Sequence, residues 1–262
     1  MLSAVVYLFL AHLGIGIAFT LLIVAKEAGV KFFRFNAGLA AALLAAALAF
    51  RPDCAAVAQP AAFAALAVSL ACLVVYWIIA GRIWAWLRPP LAAVASMAGA
   101  VAIVIHGLAA SSEVTRGTLS AANALSSSAL LGGTCTAMVL GHWYLVIPSM
   151  QVGHLQRAVA VHIATLAARI VLVGVVLVMA AGIPLLTGRS LRGYVASIDG
   201  IFFWQRVLFG LAGPAVLAWL TWETAKIRST QSATGILYVD FFTVVVGEVL
   251  ANYVLLSTGL AV

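Results

Sequence analysis

Three charged side chains stand deep inside long apolar runs of this 262-residue chain. They are Glu248 in Val246-Gly247-Glu248-Val249-Leu250, Arg169 in Ala167-Ala168-Arg169-Ile170-Val171, and Asp240, eight residues before Glu248. An ionisable group deep in a bilayer is costly, so it is paired, functional or both. Counted at about 1.5 Å of rise per residue, Glu248 and Arg169 reach similar depths, which predicts a buried ion pair. Two roles fit that pair: a proton-accepting Glu248 in a proton path or beside a quinone, or a salt bridge that fixes two helices. Asp240 lies about two turns from Glu248 on the same face. It either extends a ladder of proton acceptors or reaches the interface to pair with Lys226 or Arg228.

Histidines supply the second set of candidates. His12, His106, His142 and His162 fall in four different apolar runs, and His154 falls between two runs. Imidazole suits haem iron, and a bis-His b-type haem needs two histidines at matching depth on facing helices. His142 with His162 at one side and His12 with His106 at the other meet that condition. This two-level arrangement resembles that of diheme membrane cytochromes b. Those place two ligands on each of two helices, whereas each run here has one histidine. A quinone site needs less: a hydrogen-bond donor, a protonatable partner and an aromatic slot. His142, Trp143 and Tyr144, after Gly141, provide these near a span end. The same residues also suit an aromatic belt, with His142 bonded to a neighbouring carbonyl.

These residues sit in a membrane architecture. The composition is 65% hydrophobic and 8% charged, with a mean hydropathy of +1.18; soluble domains carry roughly 25% charged residues. That excludes a soluble enzyme, a disordered chain and a nucleic-acid partner. The net charge of +7 is spread between apolar runs, where it sets orientation in a membrane instead of marking a polyanion site.

Eight runs have spanning character: Ala4–Ala25, Phe35–Phe50, Ala61–Ala80, Leu91–Ala110, Ala121–Ile147, Ala158–Leu186, Phe203–Trp222 and Ile236–Leu256. The expected fold is an all-α integral membrane bundle of about eight helices with short loops, one domain over residues 1–262. Strand-like alternation is absent, which argues against a β-barrel. The first basic residue, Lys26, follows the first run, an order unlike that of a cleaved secretory signal. It places the N-terminus outside. Eight loop cations then lie inside (Lys26, Lys31, Arg34, Arg82, Arg88, Arg157, Lys226, Arg228) and five outside (Arg51, Arg116, Arg189, Arg192, Arg206), predicting N-out/C-out topology.

Smaller signals complete the reading. Cys54, Cys72 and Cys135 have no metal-binding spacing, and no metal site is expected. Ser126-Ser127-Ser128 with Gly132, Gly133, Thr134 and Thr136 predicts close packing and a central place for the fifth helix. Ser232 or Thr234 is the expected N-cap of the last helix. Residues 187–202 are expected to hold a short interfacial segment. Walker, HExxH and Ser/His/Asp patterns are absent, so soluble catalytic modules would come from other subunits.

The expected function is therefore that of a multi-pass subunit in a bacterial inner membrane. It would belong to a respiratory electron-transfer complex, as a non-catalytic or quinone-reactive subunit of a membrane oxidoreductase. It would anchor partner subunits and offer a quinone site, or one for haem b, with coupled proton transfer. The helix count resembles that of the eight-helix quinol-oxidising anchors of respiratory molybdoenzymes, in architecture alone. A small-solute or ion transporter or channel, and a structural assembly subunit, are the alternatives. No inverted repeat or matched broken helices support the transporter.

Overall fold

Residues 1–52, 59–82, 84–111, 113–146 and 153–262 are described by a computed structural model. Cys54, Ser112 and the Ile147-Pro148 break lie outside them. Among the described residues the chain is helical throughout, without strands, and eight helices are long and apolar enough to cross a membrane. The spanning helices are α1 Leu2–Ile23, α2 Gly29–Ala49, α3 Pro60–Ile79, α4 Arg88–Ala109, α5 Val114–Val146 and α6 Gly153–Ala180. After the short α7 (Leu191–Val195), α8 (Ile201–Val207) and α9 (Gly213–Lys226) form one span, and α10 covers Thr230–Thr258. At one end of the bundle α1, α5 and α9 finish while α6 and α10 begin. This basic end carries Lys26, Arg157, Lys226 and Arg228.

Several helices begin earlier than their apolar runs. α2 starts at Gly29, α6 at Gly153 and α10 at Thr230. Hydropathy marks only the part of a helix that suits lipid, whereas the hydrogen-bond ladder continues through Lys31, Arg34 or Gln231 until something breaks it. The cap of α10 is accordingly Ser229, whose hydroxyl donates to Ser232 Oγ and caps no backbone amide, in place of Ser232 or Thr234. The expected short segment is α7, whose cap Ser190 accepts from the Gly193 amide at 3.2 Å. Prolines stand in the first turns of α3 and α4, where the missing N–H costs nothing.

α5 is the axis of the bundle. Its apolar stretch is 72% buried, against 22% for α6, and it packs on α1, α4, α6 and α10. Small side chains make this possible. α1 and α5 cross through Gly16 and Gly132, where a Cβ on either would collide with the other's backbone. A second close crossing joins Gly210 to Gly247 of α10. Gly210 lies in a π-helical turn, Leu208–Ala212, that links α8 to α9. Pro214 follows four residues later, and its ring would clash with the Gly210 carbonyl in a regular α-helix.

Candidate functional site

Buried polar groups collect in two layers along the seam of α5, α6 and α10. The layer nearer the basic end holds Thr134, His162 and Asp240. The second holds Ser127, Arg169 and Glu248, displaced by seven, seven and eight residues on the same three helices, or roughly 10–12 Å. Leu130, Leu131, Leu166 and Val244 lie between them in sequence and are buried, so an apolar spacer separates the layers.

In the Glu248 layer the carboxylate is saturated. Arg169 reaches it twice, Nη2 to Oε2 at 2.9 Å and Nε to Oε1 at 3.2 Å. Arg206 Nη2 donates to Oε1 at 3.0 Å and the Ser127 hydroxyl to Oε2 at 2.6 Å. The expected pair of Arg169 and Glu248 is thus present, but within a triad. Arg206, expected on an outer loop, is wholly buried. The Gly210–Gly247 crossing, one turn beyond it on its own span, brings α8 against α10 closely enough for its guanidinium to reach Glu248. Arg169 Nη1 also donates to the Asn123 carbonyl at 2.7 Å and to Ser126 Oγ at 3.2 Å.

His12 joins this layer from α1. Its Nδ1 lies 3.2 Å from Ser127 Oγ. The Ser127 proton is committed to Glu248, so His12 Nδ1–H is the donor and the tautomer follows from the network. Ser128 Oγ donates to the His12 carbonyl at 2.8 Å, fixing α1 on α5. His106, on α4, lies with Nε2 3.3 Å from the Tyr7 hydroxyl and its ring edge-on to Tyr7 and Phe63.

The Asp240 layer is built differently. The Thr134 hydroxyl donates to the Leu130 carbonyl at 2.7 Å, leaving its lone pair to accept from His162 Nδ1 at 3.0 Å. His162 Nε2 therefore faces Asp240 Oδ2, 2.7 Å away, with both side chains fully buried. The contact lies off the ideal hydrogen-bond direction, and neither Asp240 oxygen has a hydrogen-bond partner. One proton between Nε2 and Oδ2 makes the pair either imidazolium–carboxylate or imidazole–carboxylic acid. The expected pairing of Asp240 with Lys226 or Arg228 does not form. With α10 starting at Thr230, Asp240 is ten residues into the helix, and Lys226 instead pairs with Glu223 at 2.8 Å.

The remaining candidates lie near the basic end. His142 is exposed, its Nδ1 3.0 Å from the Tyr238 hydroxyl. Trp143 packs edge-on against Phe32 and also meets Phe35 of α2. Tyr144 is buried against the first turn of α6 at His154 and Leu155. His142 and His162 thus have separate partners; His162 Nδ1 is bonded to Thr134 and Nε2 abuts Asp240 Oδ2. Iron ligation by His162 would require Thr134 or Asp240 to withdraw. Among the described residues no group of three or more His, Cys, Asp and Glu side chains is gathered as a metal ion would need.

An apolar groove runs between α1, α5 and α6 at the same end, with Ile23, Val24 and Leu140 in its walls and His154 and Arg157 on it. Gly133 and Val161 also line it, and each immediately precedes a member of the Asp240 layer. At its side Thr20 and Thr136 hydroxyls join α1 to α5 at 2.6 Å. No protein-family model matches the chain, and no curated protein matches it.

Proposed function

We propose that this chain is the proton-handling integral-membrane subunit of a respiratory electron-transfer complex in a cell membrane, and that its redox partner molecule is a quinone. The observation that carries this reading is the fully buried His162–Asp240 pair, two titratable groups 2.7 Å apart. A carboxylate with no other hydrogen bond is poorly supported in an apolar interior. At that distance a proton can pass between Nε2 and Oδ2, which is what a relay in a membrane requires.

The groove between α1, α5 and α6, about 30 Å³ in volume as it stands, would widen to serve as the slot for the quinone. Apolar walls suit an isoprenoid tail, and His154 and Arg157 offer donors to a ring carbonyl. A bound quinone would supply the two-electron, two-proton chemistry. The chain's own contribution is to hold the ring beside α5 and α6, exclude water with Ile23, Val24 and Leu140, and keep one proton at His162 Nε2 or Asp240 Oδ2. His142 with Tyr238 forms a second proton-bearing pair at the same end of the bundle. In this reading Glu248 is a fixed anion that organises α5, α6, α8 and α10, with Arg169 and Arg206 as its counter-ions.

Two polar layers along one seam also favour a second reading, an ion or small-solute path through the bundle. The two readings separate in one experiment on the complex purified in mild detergent. Quinone extraction should recover close to one quinone per chain, and Asp240→Asn should lower quinone-dependent turnover by 10-fold or more with the complex intact. A reduced-minus-oxidised visible spectrum would reveal any haem b. Absence of quinone and haem, together with full turnover in Asp240→Asn, overturns the redox reading. Proton or solute flux through proteoliposomes of the chain alone would then support the path.

A further inference from the structure

The end of the bundle opposite the basic one carries two adjoining hollows. The first, of about 250 Å³, lies between the connection of α6 to α8 and the last turns of α10. Arg189, Tyr194, Asp199, Phe202 and Tyr253 are among its walls. Arg189 Nη1 and Asp199 Oδ2 pair at 3.1 Å, with both side chains more than half exposed. An exposed pair of this kind is weak and gives way to better partners. The Phe202 and Tyr253 rings meet with centroids 4.8 Å apart. Burial raises the pKa of the Tyr194 hydroxyl, and Tyr253 and Asp199 close by add to the rise. Among the described residues neither tyrosine hydroxyl has a hydrogen-bond partner.

The second hollow, of about 180 Å³, lies between α5, α6 and the end of α10, and Val176, Met179, Ile183, Leu186 and Leu255 give it apolar walls. Glu113 and Arg116, also on it, are paired with each other at 2.9 Å. Met179, Ile183 and Leu186 are exposed, as expected beside α6, the least buried of the spans. Thr258 lines both hollows, and the Leu186 amide donates to the Thr258 carbonyl at 3.0 Å. Thr187, next in the chain, faces the first hollow. An exposed rim at Leu186 and Thr187 therefore divides a polar hollow from an apolar one. Close by, Trp204 is exposed, with Nε1 donating to the Val195 carbonyl at 3.2 Å, the placement of an aromatic at a membrane interface.

We propose that the two hollows bind one phospholipid with a zwitterionic, amine-bearing head, its phosphate and ammonium in the first and part of an acyl chain in the second. The charges of Arg189 and Asp199 sum to zero, which complements a zwitterion better than a net anion. Arg189 suits the phosphate. Asp199 suits the ammonium, which the Phe202 and Tyr253 rings also attract. A primary ammonium has three N–H donors, and the tyrosine hydroxyls accept those that Asp199 leaves; a quaternary ammonium has none to give. The apolar hollow beside the polar one favours a lipid over a soluble phosphoester. The site does not depend on the quinone reading, because it lies at the other end of the bundle.

Phosphatidylethanolamine is the probe. Phosphatidylcholine and phosphatidylglycerol with matched acyl chains, and soluble glycerophosphoethanolamine, are the controls. The full chain, purified in mild detergent, is exposed to equal amounts of each, and native mass spectrometry counts what it retains. Phosphatidylethanolamine should be preferred about 5-fold over either other lipid, the scale of one exposed charged contact. Glycerophosphoethanolamine should bind about 100-fold more weakly, having no chain to bury. Asp199→Asn should abolish the preference over phosphatidylcholine, whereas Arg189→Gln should weaken both lipids alike. Both positions are exposed, so these variants keep the fold. Met179→Trp, which fills the apolar hollow, should weaken all three lipids. Equal retention of the three lipids, a preference that survives Asp199→Asn, retention unchanged in Met179→Trp, or glycerophosphoethanolamine bound as tightly as the lipid would each overturn the proposal.

Discussion

The two polar layers share three helices and differ in how their acids are held. Glu248 receives four hydrogen bonds, three of them from guanidinium groups. Asp240 has one close neighbour, His162, and no well-directed hydrogen bond. A carboxylate held by several charged donors ties helices together, whereas a sparsely held one lies open to proton transfer with its neighbour. Depth in the bundle does not distinguish the two acids, since both are completely buried. The number and charge of the donors around each one does.

The sharpest way to break this contrast is at Glu248. Glu248→Gln leaves Arg169 and Arg206 facing a neutral amide, and removing one partner of a buried ion cluster costs about 3–5 kcal/mol. Thermal unfolding in detergent should show the largest drop of the series; an unchanged midpoint would mean that the triad does not hold the bundle. Next comes the crossing that delivers Arg206. Gly210→Ala places a methyl against Arg206 and Gly247, and overpacking of this kind costs about 1–3 kcal/mol. If Gly210→Ala and Glu248→Gln are combined, their losses should be less than additive, because both act on one network.

The Asp240 layer should respond more mildly. Asp240→Asn keeps a polar group opposite His162 Nε2 and strands no guanidinium, so about 1 kcal/mol is expected, the scale of one hydrogen bond. A loss as large as that of Glu248→Gln would erase the distinction between the layers. The smallest effect belongs to the exposed pair of Glu223 and Lys226. Exchanging Glu223 for Gln should change stability by no more than about 0.5 kcal/mol.

The eight spans and the meeting of Arg169 with Glu248 are legible in the sequence, because a run of apolar residues and a charge within it have few explanations. The helical starts are not. Counting Asp240 and His162 from the apolar runs at Ile236 and Ala158 puts them about one turn deep, close enough to the interface for Asp240 to seek Lys226. Counted from Thr230 and Gly153, where the helices begin, both lie well inside and meet each other. Arg206 is hidden for a related reason. It follows Phe202-Phe203-Trp204, which reads as an interfacial edge, yet Val207–Leu211 continues apolar beyond it. A charge flanked by apolar residues on both sides was the available signal. The Gly210–Gly247 crossing that draws it inward depends on a distant helix and has no local signature.

The division of labour between the layers is tested most directly by infrared difference spectroscopy of the membrane-embedded complex as the quinone is reduced. A carboxyl stretching band that changes on reduction, shifts in heavy water and disappears in Asp240→Asn is the expected result. A carboxyl band that persists unchanged in Asp240→Asn and vanishes in Glu248→Gln would contradict it.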